Sequence, residues 1–266
     1  MPELAEVEYY RKQWDAGLGE RVEAVRLHTE KRIFRGSDPT SLKRALTGAI
    51  LERSEAHGKQ LVFRFSKGIW LGLHMGLTGE LREEPPKFRP GKHDHLVIYQ
   101  QNRALVFSDM RQFGRVRFHI GTEAPEWWDG LPVSLSSREF TPALMRSFLT
   151  RHGRLPLKAS LLLQSGFPGV GNWMADEILW RAGLDPRRAS GGIREEELKK
   201  LWRNVRFVCR EALKRIGRTN ADLPSGWLFH ERWSRDGRCP RHGERLMRET
   251  VGGRTTAWCR KCQRER

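Results

Sequence analysis

Near residue 121 the spacing of apolar residues changes period. That change restricts the chain to a strand-rich part followed by a helical part. Upstream, residues 60–65 alternate, with Leu61, Phe63 and Phe65 on one face, and comparable short runs occur at 69–73, 95–100, 104–108 and 115–120. Ser66-Lys67-Gly68 and Gln101-Asn102 supply turns between them, the pattern of an antiparallel sandwich or barrel. A short helix over 4–16 precedes the strands, with Gly17 as its stop. Glu3, Glu6 and Glu8 lie in or near its first turn, where the helix dipole favours acids. After a connector at 121–137, Thr141 and Pro142 open a helix as N-cap and first helical residue. Further helices are expected over 157–163, behind Pro156, and over 172–182, stopped by Gly183. A long amphipathic helix over 194–216 carries Leu201, Val205, Val208, Ala212 and Ile216 on one stripe, and 218–230 reads as a loop.

The tail is organised differently. Cys239-Pro-Arg-His242 is followed, after sixteen intervening residues, by Cys259-Arg-Lys-Cys262. Two residues between the members of each pair let each pair grip one ion from a tight turn, and zinc accepts thiolate and imidazole in a tetrahedral shell. Between them, Gly252-Gly253 suits the tip of a type I′ hairpin. Four protein ligands leave no open position, so one structural zinc is expected. Cys209, beside Val208 on the long helix, reads as a small core residue. Four cysteines are too few for a disulfide scaffold in 266 residues, and their clustering points to a reducing compartment.

Lys and Arg number 49 against 32 Asp and Glu, a formal charge of +17, so the expected partner is a polyanion, nucleic acid before an anionic membrane. No apolar run approaches the ~20 residues of a membrane span, and the polar, acidic start excludes a secretory signal. A basic amphipathic helix would serve a membrane surface, but the acids Glu195, Glu196 and Glu197 argue against 194–216 in that role.

The opening Met1-Pro2-Glu3-Leu4 has chemical content of its own. Removal of Met1 exposes Pro2 as a secondary amine; an α-amino group has a pKa of ~7.7–8.0 against ~10.4 for lysine, so an appreciable fraction is neutral at pH 7. Such an amine can attack a sugar C1′ and form a Schiff base. Alternatively, Pro2 is merely a helix-entry proline.

Met1-Pro2-Glu3-Leu4-Ala5-Glu6-Val7-Glu8 resembles the opening of the formamidopyrimidine-DNA glycosylase / endonuclease VIII family. So do His57-Gly58-Lys59, His74-Met75-Gly76-Leu77-Thr78-Gly79, Lys92-His93-Asp94-His95 and Asp109-Met110-Arg111-Gln112-Phe113-Gly114. Gly169-Val170-Gly171-Asn172-Trp173-Met174-Ala175-Asp176-Glu177 resembles the family's helix–two-turn–helix signature, and the tail resembles its zinc finger. The segments stand in family order and span the chain.

The resemblance implies a multi-domain α+β protein: an N-terminal antiparallel β-sandwich flanked by helices (1–125), a helix–two-turn–helix DNA-binding domain (126–230) and a zinc-finger β-hairpin (231–266). It implies a bifunctional DNA glycosylase and abasic-site lyase of base-excision repair that removes oxidised bases from duplex DNA. Pro2 would be the nucleophile, Glu3 the general acid/base and Lys59 a phosphate contact that helps catalysis. Glu6 would support the site, while His74, Asn172 and Arg254 would grip the DNA backbone. Leu77, Arg111 and Phe113 would fill the gap left by an extruded nucleotide, because a base inside a duplex must be flipped out to be reached. Without the family, Leu77 and Phe113 read as core, Asn172 as a helix cap, and Lys59 and Arg254 as solvated charges. Cys239, His242, Cys259 and Cys262 would hold the zinc; no organic cofactor is needed, and a monomer is implied. The expected location is cytoplasmic and nucleoid-associated, in a bacterial cell.

Ala5 stands where the family usually has a second proline, His242 where cysteine is commoner, and Leu77 where methionine is frequent. The loop 218–233 is short, and its Trp227-Leu228-Phe229-His230, like Gly171-Asn172-Trp173, resembles plant-type members. Formamidopyrimidines and hydantoins are therefore expected ahead of 8-oxoguanine, with abasic sites also processed. The rival reading, a DNA-binding zinc protein without catalysis, has no use for Pro2, Glu3 and Lys59 together.

Overall fold

The alternating segments pair into two antiparallel four-stranded sheets. A computed structural model describes residues 1–264, which divide into two compact units: Met1–Pro2 with Glu6–Leu131, and Glu3–Ala5 with the chain from Pro132 on.

The first unit contains most of helix α1 (Leu4–Gln13), strand β1 (Val22–Leu27), helix α2 (Pro39–Leu46), strands β2 (Leu51–His57), β3 (Gln60–Phe65), β4 (Ile69–His74), β5 (Gly79–Glu84), β6 (Asp94–Gln100), β7 (Ala104–Asp109) and β8 (Arg115–Ile120), and the single-turn helix α3 (Glu126–Asp129). The strand orders are β1-β6-β7-β5 and β2-β3-β4-β8. Leu61, Phe63, Leu71 and Leu73 of one sheet and Leu81, Leu96, Leu105 and Phe107 of the other fill one buried core, which makes the unit the expected sandwich. Trp14 joins the layers: its ring lies 4.6 Å from that of Phe63, and its indole N–H donates to the Val106 carbonyl at 3.3 Å. Some elements escape a reading of periodicity. β2 (LERSEAH) and β5 (GELREE) carry too few apolar residues to signal, and they exist because β3 and β7 offer them antiparallel partners along their length, with one register shift between Leu51 and Arg53. Helix α1 ends at Gln13, and Gly17 closes a separate 3₁₀ turn rather than capping it.

The second unit is helical: α4 (Pro142–Arg151), α5 (Leu157–Leu161), α6 (Asn172–Ala182), α7 (Glu195–Thr219) and α8 (Leu228–Glu231), then the hairpin β9 (Met247–Val251) and β10 (Arg254–Trp258). The Leu144 N–H donates to the Thr141 hydroxyl at 3.2 Å, the expected N-cap. Gly183 ends α6 at φ +68, a left-handed position that glycine takes without a Cβ penalty. Helix α6 is buried nearly all round, with α7 as its largest neighbour; Cys209, fully buried on α7, belongs to their shared core. Among the described residues no helix is long and apolar enough to cross a membrane.

Burial has an electrostatic consequence on α6. Burial pushes the Glu177 carboxyl up from 4.5 to about 7, against the opposing pull of Arg181, 2.7 Å away, and of the Phe229 N–H. The folded chain therefore holds this proton more tightly than the unfolded one, and the stability linked to it is lost as pH rises from about 4.5 to about 7. At ~1.4 kcal/mol per pH unit the span is worth roughly 3 kcal/mol. Glu177→Gln keeps an acceptor without the charge, so its denaturant midpoint relative to wild type should rise between pH 5 and pH 8. A constant difference would contradict the assignment.

Candidate functional site

Glu3 follows Pro2 directly and is only 4 % exposed. Its carboxylate accepts the backbone N–H groups of Trp173 at 2.9 Å, Gly171 at 3.0 Å and Met174 at 3.1 Å. These donors belong to the start of α6, where the first N–H groups of a helix lack intrahelical partners and the dipole favours a negative charge. Gly171 makes the approach possible, since a Cβ there would sit 2.2 Å from the Glu3 carboxyl carbon. The Leu4 N–H donates to the Gly169 carbonyl at 2.9 Å, so backbone as well as side chain ties this segment down. The helix that Glu3 neutralises is thus α6, far along the chain, and not the α1 expected from proximity.

Asn172 is the first residue of α6, with Gly171 as N-cap. Its amide does not cap the helix; it donates to the Thr255 carbonyl on β10 at 2.9 Å, and its buried Oδ1 has no partner. The amide nitrogen carries a second N–H. Gly252 and Gly253, at φ +60 and +73, form the hairpin tip, and a Cβ on Gly252 would lie 2.7 Å from that of Ala159 on α5. Exposed Arg254, the next residue, is therefore displayed from a braced hairpin.

Cys239, His242, Cys259 and Cys262 place one donor atom each within 4.8 Å of one another. The Cys239 and Cys262 sulfurs are 3.7 Å apart, and His242 ring nitrogens lie 3.8 Å from the Cys259 sulfur and 3.4 Å from that of Cys262. A tetrahedron with metal–sulfur bonds of about 2.3 Å has edges of about 3.8 Å, so the donor set fits a metal ion such as zinc. The indole N–H of Trp180 on α6 donates to the Cys239 sulfur at 3.3 Å, the outer support expected of a ligating thiolate. Burial, and then the adjoining Cys239, push the bare Cys262 thiol up to about 12, a penalty that a bound cation would offset.

In the first unit, Pro2 is half-buried behind exposed Met1, and Glu6 lies in the first turn of α1. Lys59, 8 % exposed, sits in the tight turn between β2 and β3. His74 ends β4 and accepts the Gly76 N–H on Nδ1 at 3.0 Å. Burial, and then the charges of Lys59 and Arg117, hold its pKa below the ordinary value. The ring is therefore neutral at pH 7 with its proton on Nε2, a donor.

Leu77 and the loop 110–114 meet beside it. Buried Asp109 is the organiser, a residue without a role in the sequence reading. It accepts the Thr78 hydroxyl at 2.7 Å, the Arg111 N–H at 3.2 Å and the Gly114 N–H at 2.6 Å. Gly76 brings the two loops into contact, since a Cβ there would meet the Phe113 and Gly114 backbone at 2.5 Å. Phe113 is 41 % exposed and Leu77 half-buried, so neither is the core residue that its type suggests. The Arg111 guanidinium stacks 5.0 Å from the Phe113 ring. The result is a rigidly based loop presenting an apolar ring and a planar cation.

The structure thus gathers two groups. Pro2, Lys59, His74, Leu77, Arg111 and Phe113 belong to the first unit; Glu3, Asn172, Arg254 and the metal ligands belong to the second.

Residues 1–116 match the family model of the formamidopyrimidine-DNA glycosylase N-terminal domain, and residues 132–222 that of the formamidopyrimidine-DNA glycosylase H2TH domain. The chain is similar to the curated formamidopyrimidine-DNA glycosylase of Thermus thermophilus, 35% identical over 100% of this chain and 99% of the relative. It is 31% identical to that of Pelotomaculum thermopropionicum, over 99% of each. In fold it resembles the Lactococcus lactis enzyme solved non-covalently bound to DNA containing an abasic site, at a TM-score of 0.87 and 24% identity over 99% of this chain and 100% of the other.

Proposed function

The chain belongs to the formamidopyrimidine-DNA glycosylase family, and from that premise we propose that it is a bifunctional DNA glycosylase and abasic-site lyase acting through Pro2. With Met1 removed, the neutral Pro2 nitrogen displaces the damaged base at C1′, and opening of the C1′–O4′ bond turns the adduct into an iminium Schiff base. β,δ-Elimination then leaves a one-nucleotide gap with phosphate at both ends. Glu3 assists sugar-ring opening and proton transfer. The observation that carries the reading is the seating of Glu3: the residue bonded to the nucleophile has its carboxylate held by three backbone N–H groups, and no loose side chain could keep so fixed a place.

Lys59, the Nε2–H of His74, the second amide N–H of Asn172 and Arg254 take the backbone phosphates. Phe113, Leu77 and Arg111 fill the space of the extruded nucleotide, and the stacked guanidinium is presented to the orphaned base. Glu6 supports the site. Zinc, held by Cys239, His242, Cys259 and Cys262, has a structural role only. The substrates are formamidopyrimidines, hydantoins and abasic sites in duplex DNA, with 8-oxoguanine less favoured, and the enzyme acts as a monomer.

Borohydride tests the nucleophile. The chain lacking Met1 should form a covalent adduct with lesion duplex. Pro2→Gly should greatly reduce the adduct, and a tag retained ahead of Pro2 should abolish it. Undiminished trapping by the tagged protein would remove Pro2 from the mechanism. A panel of duplexes bearing single lesions reads the substrate order.

A further inference from the structure

The outer face of the β2-β3-β4-β8 sheet carries arginines that no step above uses. Register alone assembles them. Gln60 on β3 faces His74 on β4, which faces Arg115 on β8; in the next row Val62 faces Gly72, which faces Arg117. Residues directly opposite one another share a face of the sheet. Gly72 leaves room for Trp127, whose ring a Cβ would meet at 2.6 Å, so the indole packs directly on β4. Arg117 stands 6.0 Å from the centroid of that ring. Arg35 reaches the same place from the segment before α2, donating to the Gly114 carbonyl at 2.7 Å. Together Arg35, Arg115, Arg117, His74, Gln60 and Trp127 line a cavity of about 210 Å³, which Phe113 also borders. That is roughly the volume of seven liquid waters, enough for a phosphate and part of its sugar.

Two features distinguish this cavity from a solvated basic surface. The Arg115 Nε is buried and has no hydrogen-bond partner, although a buried guanidinium N–H ordinarily finds one. Secondly, among the described residues none of the three arginines forms an ion pair. The only nearby carboxylate to act on Arg35 is Asp109, whose oxygens are already occupied by Thr78, Arg111 and Gly114. After burial, mutual repulsion is what lowers the affinity of Arg35 and Arg117 for their protons. Arg82 and Arg103 of the same unit differ: Arg82 meets Glu84 and Asp94, and Arg103 meets Glu20.

We propose that Arg35, Arg115 and Arg117, with Trp127 as a wall, form a binding site for a phosphate group. Its natural source is a phosphodiester of the DNA assigned above to His74 and Phe113, and in that respect the inference rests on the function proposed above. Guanidinium forks suit phosphate oxygens.

The test uses the full chain with undamaged duplex, so that it reads binding independently of the borohydride experiment. In wild type the logarithm of affinity should fall steeply with the logarithm of salt concentration. Arg117→Ala and Arg115→Ala should each make the slope shallower by about 0.9 for every phosphate that is no longer neutralised. Arg117→Lys, which keeps a charge, should restore most of it. Arg103→Ala removes a cation already neutralised by Glu20 and should leave the slope unaltered. A second arm titrates inorganic phosphate and follows the melting temperature. A rise in wild type that is absent in Arg117→Ala, with unchanged DNA slopes, would assign the site to a free phosphate. Should one alanine variant not fold, the other and the wild-type titration give the answer. Unchanged slopes together with no effect of phosphate on wild type would overturn the proposal.

Discussion

Stripping the metal should unfold the β9–β10 hairpin and weaken DNA binding while leaving the sandwich folded. The hairpin has five residue pairs, and a two-stranded hairpin alone is marginal in water. Its core is small: Trp180, Leu228, Leu246 and Ala257 pack around the ligands Cys239 and Cys259. Against this stands the four-ligand metal site; in small zinc modules such a site is worth about 10–16 kcal/mol. Two hydrogen bonds tie β10 to α6, from the Asn172 amide to Thr255 and from the Ala257 N–H to Asp176. At about 1 kcal/mol each they do not offset the loss of the ion. Arg254 depends on the hairpin for its position, so its grip on a phosphate should disappear. Hydrogen exchange on chelated protein should show protection falling only in β9, β10 and the ligand turns, with a shallower salt dependence of binding. Full protection of the hairpin amides in protein shown to be metal-free would sink the assignment.

The parts of the fold legible in the sequence are those whose signal is local. Thr141-Pro142, Gly183 and Gly252-Gly253 each act within a turn of where they stand, and each does what its chemistry suggests. The metal cluster was legible for the same reason, since spacing within each ligand pair is a property of a few bonds. Strands β2 and β5 were not, because their stability comes from the neighbours they pair with. The site divides along the same line. The sequence suggests that Glu3 answers a helix dipole, but which helix is decided by a contact between residues 168 apart. Asp109 reads as one acid among many until the two loops that it ties are seen together. Arg115 and Arg117 look like surface charge on a strand, and only the register with Gly72 and His74 makes a cavity of them. No helical period announces that Lys158 is wholly buried; its reason for being there, Asp176, lies on another helix.

That buried pair carries the largest expected effect of a single substitution. Asp176 on α6 is 1 % exposed and binds Lys158, Arg232 and the backbone of Ala257. One oxygen takes the ammonium of Lys158; the other accepts Nη2 and Nε of Arg232 at 2.8 and 3.1 Å and the Ala257 N–H at 3.2 Å. Asp176→Ala strands two buried cations at once. Removing one partner of a buried ion pair costs about 3–5 kcal/mol, a large share of the roughly 5–15 kcal/mol that typically holds a domain together. Lys158→Met should cost less, because Asp176 keeps Arg232 and the methionine occupies similar volume without a charge. The ranking is checked by denaturant unfolding at pH 7, and equal midpoints for the two variants would refute it. The direction with pH follows from the lysine. Burial already holds the Lys158 pKa below its ordinary value in spite of Asp176, and without that carboxylate it should fall further. A lysine that binds its proton less tightly when folded than when unfolded contributes stability that grows as pH rises through the folded pKa. The deficit of Asp176→Ala should therefore shrink between pH 6 and pH 9. The lost bonds to Arg232 and to the Ala257 N–H set the part that no rise in pH recovers.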